Sequence, residues 1–453
     1  MNKNKEKLAF YFDVEIKRRE LLSRLTVAAL LAEKGYYVFI GERATLSSMR
    51  RIIPKATIVR KSARSNSVNI LSDLIKSGYK IVNMEEEGVL VGSLSEYIGV
   101  DMPPDAVALP DRHLLWGDKQ ADHLINLYPR QRDKFLKVGN PRLHLWKNRY
   151  YGFYDILADG INKEFGEFVL MSSNFAYYTN SRHVKEMFAM TGFLEKSENT
   201  KIYEENFKIV EFLFKEFVKA AKEISLRGVK VIFRPHPSES VSKIQEYFSD
   251  YSNIVVNSDH DVAPWILASK AVIHNCCTTG LEATFMKKNT IAYTPNSVSQ
   301  YKLNSVDKIA KVALNVDELL DGIISPAEFH PSMMNLDGYL TDKTSLDEIV
   351  NALEGVETKS FFDLSSVEIS NSKYKFNKFF YTSTRKLKDF FIFDNVKKQE
   401  RHSLRKKFSI DDTFELTDYF SCMYENNLLK RNVTCAPVGK NTFYIYCNSS
   451  NKV

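Results

Sequence analysis

The chain predicts an α/β protein with two Rossmann-like parallel-sheet domains and a basic extension behind them. Three observations carry that prediction. Short apolar strands alternate with helices from residue 8 onward, the alternation restarts after a break near residues 145–165, and two polar loops about forty residues apart each follow a strand-like run. A chain of 453 residues is too long for one ordinary core, so 1–150 reads as a first domain, 151–330 as a second and 331–453 as the extension.

Leu8 to Val14 reads as the first strand, Glu20 to Lys34 as a helix carrying Leu21, Leu22, Leu25, Val27, Ala28 and Leu31, and Tyr37 to Ile40 as the next strand. Further strands are read at Ala56 to Val59, Lys80 to Asn83, Ala106 to Leu109 and Phe135 to Val138, the last ending in the turn Gly139-Asn140-Pro141-Arg142. The second series opens at Phe168 to Met171 with the polar turn Ser172-Ser173-Asn174. A long helix from Tyr203 to about Leu226 follows, then strands at Val229 to Phe233, Ile254 to Val256, Ala271 to Ile273 and Thr290 to Tyr293. Beyond about residue 330 the alternation fades, and Asn432 to Val453 reads as a short strand or two. A cleft between the two sheet domains is the expected ligand site.

Composition narrows the classes. Hydrophobic residues make up 44% of the chain, ample for globular folding, and no apolar run is long enough to span a bilayer. The charged start Met1 to Lys7 leads into a strand rather than the core of a signal peptide. Five cysteines without a repeated CxxC spacing argue against a disulfide framework and a zinc site, which makes the cytoplasm the simplest home. The net charge of +7 is concentrated in Lys373 to Lys407, where twelve Lys or Arg face three Asp or Glu. Interleaved aromatics in that segment fit peripheral contact with an anionic membrane, and a solvated helical face packed by its Phe and Tyr residues fits equally. Nucleic acid is not expected, because the rest of the surface carries no basic stripe.

The chemistry gathers where strands run out, since loops at carboxyl strand ends bind ligands in open α/β sheets. Arg234-Pro235-His236-Pro237 follows a strand, and the flanking prolines restrict the histidine's backbone. An imidazole held there beside Arg234 suits a phosphate and its departure. His274-Asn275-Cys276-Cys277-Thr278-Thr279-Gly280-Leu281-Glu282 turns from a strand into a helix, placing hydroxyls and N–H groups where a phosphate binds, with Glu282 in reach of ribose hydroxyls. The same residues also suit an N-cap and a capping box, and the two cysteines read as packed small residues rather than nucleophiles.

In the first domain Met84-Glu85-Glu86-Glu87-Gly88 crowds three carboxylates at a strand end. Like charges this close raise one another's pKa, which suits a general base, although a solvated acidic turn is the plainer alternative. Arg18, Arg19 and Glu20 follow the first strand and either position an anionic substrate or simply start a helix. Ser172, Ser173 and Asn174 occupy the corresponding loop of the second domain. Asp259-His260-Asp261 reads as a helix start before Val262 to Ala268, and no metal is assigned.

These motifs resemble a known set. Glu86-Glu87-Gly88, His236-Pro237 and Thr278-Thr279 resemble the acidic-glycine, His-Pro and serine/threonine motifs of bacterial sialyltransferases and capsule Kdo transferases of the GT-B fold. Arg19-Glu20, the Gly139 to Arg142 turn and Ser173-Asn174-Phe175 resemble the bacterial surface carbohydrate biosynthesis protein family, and the resemblance spans roughly residues 8 to 325. It implies transfer of a sialic, pseudaminic, legionaminic or Kdo-type sugar from its CMP-activated form to a surface polysaccharide or lipid-linked glycan, without metal or cofactor. His236 would stabilise the departing CMP phosphate, with Arg234, Pro237, Ser172, Ser173, Asn174, Thr278, Thr279, Gly280 and Glu282 around the donor. Glu86 would be the base, with Glu85 and Glu87 as neighbouring candidates, and Arg19, Glu20, Asn140 and Arg142 would position substrate. The alternatives are a CDP-polyol phosphotransferase of teichoic-acid type, a UDP-sugar transferase or epimerase, and a non-catalytic glycan-binding protein on the same fold.

Overall fold

The computed structural model describes residues 6–43, 50, 53–62, 64, 67–86, 102–190, 197–295, 309–326, 340, 346–362, 413–439 and 441–447. The chain divides into two compact units. Met1–Gly88, Ser93–Leu145 and Asp337–Val453 form the first, and Val89–Gly92 with Trp146–Leu336 the second. Strands are numbered in chain order.

In the first unit, β1 (Lys7–Val14), β2 (Tyr37–Glu42), β3 (Thr57–Arg60), β4 (Lys80–Met84), β5 (Arg112–Leu115) and β6 (Phe135–Lys137) are parallel, in the order β2-β1-β3-β4-β5-β6. The chain leaves β1 toward β2 and then crosses to β3, so the strand order reverses between β1 and β3. Ala9 to Val14 are all buried, as befits a central parallel strand covered on both faces. The helix Lys17–Glu33 follows β1 and buries residues around most of its circumference, from Glu20 to Ala32. Helices Leu346–Glu354 and Thr413–Glu425 pack against it. The Thr26 hydroxyl lies 2.8 Å from the Tyr419 hydroxyl, and Lys34 pairs with Glu354 at 2.8 Å. The helix stops at Gly35, whose φ of 89° is the left-handed conformation that favours glycine.

Two sequence readings are corrected here. Ala106 to Leu109 does not form a strand: Pro104–Val107 is a short helix with a proline in its first turn, and the strand follows at Arg112–Leu115. The polar pair Arg112-His113 hid that strand, because His113 is buried by pairing with Asn83 and Val107 rather than by being apolar. The segment read as an extension beyond the second domain belongs instead to the first unit. There β13 (Lys359–Ser360) pairs with β1, and the hairpin of β14 (Val433–Gly439) and β15 (Thr442–Cys447) adds antiparallel to β2. Edge pairing of this kind leaves little trace in a sequence, because a hairpin docked on a distant strand has no local period that reveals its partner.

The second unit has six parallel strands among the described residues, in the order β12-β11-β10-β7-β8-β9. They are β7 (Val169–Ser172), β8 (Val231–Arg234), β9 (Ile254–Val256), β10 (Ala271–His274), β11 (Thr290–Tyr293) and β12 (Lys311–Ala313). The helix Ser197–Leu226 lays Phe214, Phe217, Ala220, Ala221 and Ile224 on this sheet against Val169, Met171, Val231 and Phe233. The chain moves from β7 outward to β9 and then back across to β10, so the order reverses between β7 and β10. Both units are therefore doubly wound parallel sheets, as the sequence predicted.

Candidate active site

In the second unit Ser172 is in register with Arg234 of β8 on one side and with His274 of β10 on the other. Three loops therefore leave neighbouring strands at one level, beside the point where the strand order reverses, the place at which open sheets bind ligands. The loops are also tied together. Asn174 Nδ2 donates to the Cys276 carbonyl at 3.5 Å, and the Cys277 thiol lies 3.8 Å from the Ser172 hydroxyl.

A residue that the sequence reading passed over organises the His-Pro loop. Glu239 is buried, and its Oε1 accepts from the Ser173 hydroxyl (2.8 Å), the Phe175 N–H (3.1 Å) and the Thr179 hydroxyl (3.2 Å). Its Oε2 accepts the backbone N–H of His236 at 2.6 Å. Burial raises the pKa of this carboxyl while the four hydrogen bonds lower it. The only signal in the sequence is an acidic residue two positions after the His-Pro pair, in Ser238-Glu239-Ser240.

His236 and Pro237 are exposed on the far side of this anchor. The Ser238 N–H donates to His236 Nδ1 at 3.2 Å, and the Ser238 hydroxyl lies 2.6 Å from the same nitrogen. A backbone N–H can only donate, so in the neutral ring the proton sits on Nε2. Arg234, expected at the donor, is buried with its guanidinium braced on the carbonyls of Asp259 (2.8 Å) and His260 (2.6 Å), above the Trp265 ring. It fixes one loop against another. The helix read over Val262 to Ala268 is present with those bounds, and Asp261, at its N-cap position, accepts from the Tyr154 hydroxyl. Among the described residues no group of three or more His, Cys, Asp or Glu is arranged to hold a metal ion.

The loop after β10 turns through Cys276, whose φ of 47° is left-handed and strained for a side chain. Cys277, not a threonine, is the N-cap of helix Thr278–Phe285, and no side chain caps it. Burial pushes the Cys277 thiol up, with the Thr279 and Gly280 N–H groups opposing the shift. Thr278 and Thr279 are half-buried in the first turn. Gly280 has a packing reason to be glycine: a Cβ there would stand 2.4 Å from the buried His274 ring. Glu282 forms no capping box. It is buried and accepts from the Tyr150 hydroxyl at 2.7 Å, which itself accepts from Trp146 Nε1 at 3.1 Å. Arg149, Tyr150 and Tyr151 all have positive φ, so this bracing tyrosine sits in a strained turn.

In the first unit the acidic loop and the Gly139 to Arg142 turn are one device. The Glu85 carbonyl accepts from Trp116 Nε1 (2.6 Å) and Asn140 Nδ2 (2.7 Å), and the Glu86 carbonyl from Arg142 (3.4 Å). Asn140 Oδ1 in turn caps the Arg142 N–H at 2.9 Å. Asn140 and Arg142, read as substrate-positioning, thus hold the acidic loop. Glu85 Oε1 accepts the Glu86 N–H at 3.0 Å, and Glu87 lies outside the described residues.

The Glu86 carboxylate is 1% exposed, 3.4 Å from Arg24 and 3.8 Å from Arg142. Burial raises its pKa, while Arg24 and Arg142 pull it down. Arg24, fully buried on helix Lys17–Glu33, also reaches Asp13 (3.6 Å), Glu20 (3.9 Å) and the Val59 carbonyl (3.0 Å). Glu20 accepts the Glu15 N–H at 2.9 Å and pairs with Arg19 at 3.7 Å, so both residues expected at the substrate belong to this network. Sequence reasoning missed Asp13, Glu15, Arg24, Arg43, Arg60 and Lys61, although Asp13, Arg60 and Lys61 stand at the ends of β1 and β3.

No protein-family model and no curated protein matches the chain. Among solved structures it is similar to a UDP-GlcNAc 2-epimerase of Methanocaldococcus jannaschii in complex with UDP-GlcNAc and UDP. That likeness has 13% identity and a TM-score of 0.47 and covers 77% of this chain and 100% of that one. It is similar to the wall teichoic acid polymerase TagF at 10% identity and a TM-score of 0.48, covering 77% of this chain and 88% of that one. A Staphylococcus aureus MnaA structure with UDP follows at 12% identity and a TM-score of 0.44, covering 78% and 96%.

Proposed function

We propose that this chain is a metal-independent, cofactor-free glycosyltransferase that moves a nonulosonic or ulosonic sugar of pseudaminic, legionaminic, sialic or Kdo type from CMP to a surface polysaccharide or lipid-linked glycan. The observation that carries the reading is the convergence of the His236, Ser172–Asn174 and Thr278–Thr279 loops beside the reversal point of one parallel sheet. Reversal points of such sheets are where nucleotides bind.

The acceptor hydroxyl oxygen bonds to the anomeric carbon as the bond from that carbon to the CMP phosphate oxygen breaks. The hydroxyl proton passes to a carboxylate, for which Glu86 is our first choice and Glu85 and Glu87 the next. Burial makes such a group a better proton acceptor. The phosphate departs toward the Nε2–H of His236, which an anchored loop presents without reorganisation. Thr278 and Thr279 hydroxyls contribute at the helix start.

Among the described residues no helix is long and apolar enough to cross a membrane. Lys373 to Lys407 lies outside the described residues. We assign it to peripheral contact with anionic lipid at the inner face of the cytoplasmic membrane, where a lipid-linked acceptor is found.

The deciding test is thermal unfolding of the full chain with CMP, CDP, UMP and UDP, because a ligand that binds the native state raises its stability. A shift with CMP exceeding that with the others supports the proposal. A preference for CDP would favour polyol phosphate transfer, and a preference for UDP would overturn the proposal.

A further inference from the structure

We infer that the first unit carries its own oxyanion site at the carboxyl end of β3, with Arg60 and Ser62 as donors, for a phosphate or carboxylate group of the acceptor. The placement on the acceptor side rests on the function proposed above; the site itself does not.

Topology selects the place. The first sheet reverses its strand order between β1 and β3, so a ligand is expected beyond the carboxyl ends of these two strands. Asp13 stands at that end of β1, Arg60 at that end of β3, and Ser62 two residues beyond.

Charge selects the ligand's sign. Within the described residues a continuous set of ion pairs links Asp13, Glu15, Glu20 and Glu86 to Arg19, Arg24, Arg43, Arg60, Lys61 and Arg142. At the Arg60 end one carboxylate, Asp13, is shared by two guanidiniums, Arg24 at 3.6 Å and Arg60 at 3.0 Å. An unmatched guanidinium N–H in that setting favours an anion over a neutral ligand.

Unused donors select the residues. Arg60 is 3% exposed and meets Asp13 through Nε at 3.0 Å, yet its buried Nη1 has no hydrogen-bond partner. Ser62 is 4% exposed and its buried hydroxyl likewise has none. Buried donors of this kind are rarely left unmatched, and a guanidinium is the group best shaped for a planar or tetrahedral oxyanion. Arg43 is already engaged with Glu15 (2.8 Å) and Ser67 (3.0 Å), and Lys61 with Glu15 (2.9 Å), so they supply field rather than contacts.

The test uses the full-length protein at constant ionic strength, titrated with millimolar inorganic phosphate and, separately, glucuronate, with thermal unfolding as the readout. Each titration is run with and without saturating CMP. We expect a saturable stabilisation by at least one anion that persists with CMP present. Ser62→Ala should weaken it about tenfold, the worth of one hydrogen bond to a charged group, while leaving the CMP shift intact. Arg60→Gln should abolish it; if that variant does not fold, Ser62→Ala carries the test alone. A response to phosphate alone identifies a phosphorylated acceptor, and a response to glucuronate identifies a sugar acid. No anion response in the wild type, or one that Ser62→Ala leaves unchanged, overturns the site. Loss of the CMP shift with the anion response retained would sink the donor reading and leave this one standing.

Discussion

Glu239 Oε2 holds the backbone N–H of His236 at 2.6 Å, and the same carboxylate collects three further donors from the loop after β7. The exposed imidazole is therefore carried on a rigid, internally satisfied mount. The two residues separate into a group that acts and a group that positions it.

His236→Ala should leave stability within about 0.5 kcal/mol, since the ring is exposed. It should lower CMP-dependent turnover roughly a hundredfold. Glu239→Gln should do both kinds of damage. In either orientation its amide NH2 would face a backbone N–H, that of His236 or of Phe175, which can only donate, at a cost of about 1–3 kcal/mol, and turnover should fall while the histidine remains. Urea midpoints and steady-state kinetics on both variants distinguish these roles. Equal stability of Glu239→Gln and wild type would show that the mount is dispensable.

Glu86→Gln should abolish transfer and leave the CMP-induced shift intact. The substitution also removes one of the partners of buried Arg24, so unfolding must be followed on the same samples. Near-normal turnover would transfer the role of base to Glu85 or Glu87.

Gly280→Ala should destabilise by about 1–3 kcal/mol, the usual cost of overpacking a filled core. Its Cβ would meet the His274 ring at 2.4 Å. His274→Ala in the same chain should recover part of the loss by opening that space. An unchanged midpoint for Gly280→Ala would mean that the ring moves aside freely.

Stability should fall in acid through two windows. Burial pushes His113 and His274 down from 6.5 to about 4. The unfolded chain therefore takes up these protons first, and stability is lost as pH drops from about 6.5 to about 4. Burial raises the pKa of Glu15, but Lys61 and Arg43 outweigh it and hold the group at about 2. Its contribution is present above 4.5 and is lost as pH falls toward 2. Glu86 and Glu239, raised by burial, act in the opposite sense, weakening the fold as pH climbs above 4.5. Denaturation midpoints between pH 2 and 7 should show a flatter lower window in Glu15→Gln and a flatter upper window in His113→Gln. Identical slopes in all three proteins would refute the assignment.

Most parallel strands of both sheets were legible because they are nearly continuous apolar runs, whereas β5, which opens on Arg112-His113, and the short β12, which opens on Lys311, were not. The reading from Ile254 to Val256 matches the structure residue for residue. Loops at carboxyl strand ends were legible too, since His236 and Thr278 need only a strand before them to be placed. What stayed hidden was pairing between distant parts of the chain. Nothing local marks Glu239, on which Ser173, Phe175 and Thr179 converge, or Arg24, which Asp13, Glu20 and Glu86 surround. Asn140 and Arg142 were singled out as ligand contacts, but they act on Glu85 and Glu86, two strands away in the sequence.

The β14–β15 hairpin has a consequence for how the protein is made. Glu42 and Asn441 are hydrogen-bonded although 399 positions apart, at the seam where β15 joins β2. At translation speeds of about 5–20 residues per second, the outer side of β2 waits roughly 20 to 80 s for its neighbour. During that interval the second unit can already fold, while the nascent first sheet presents an open edge of β2, on which Tyr37, Val38, Phe39 and Ile40 end up buried. Biogenesis of this chain should therefore depend on whatever shields that edge on the ribosome, and its yield should be more sensitive to synthesis rate and chaperone supply than the stability of the finished protein suggests.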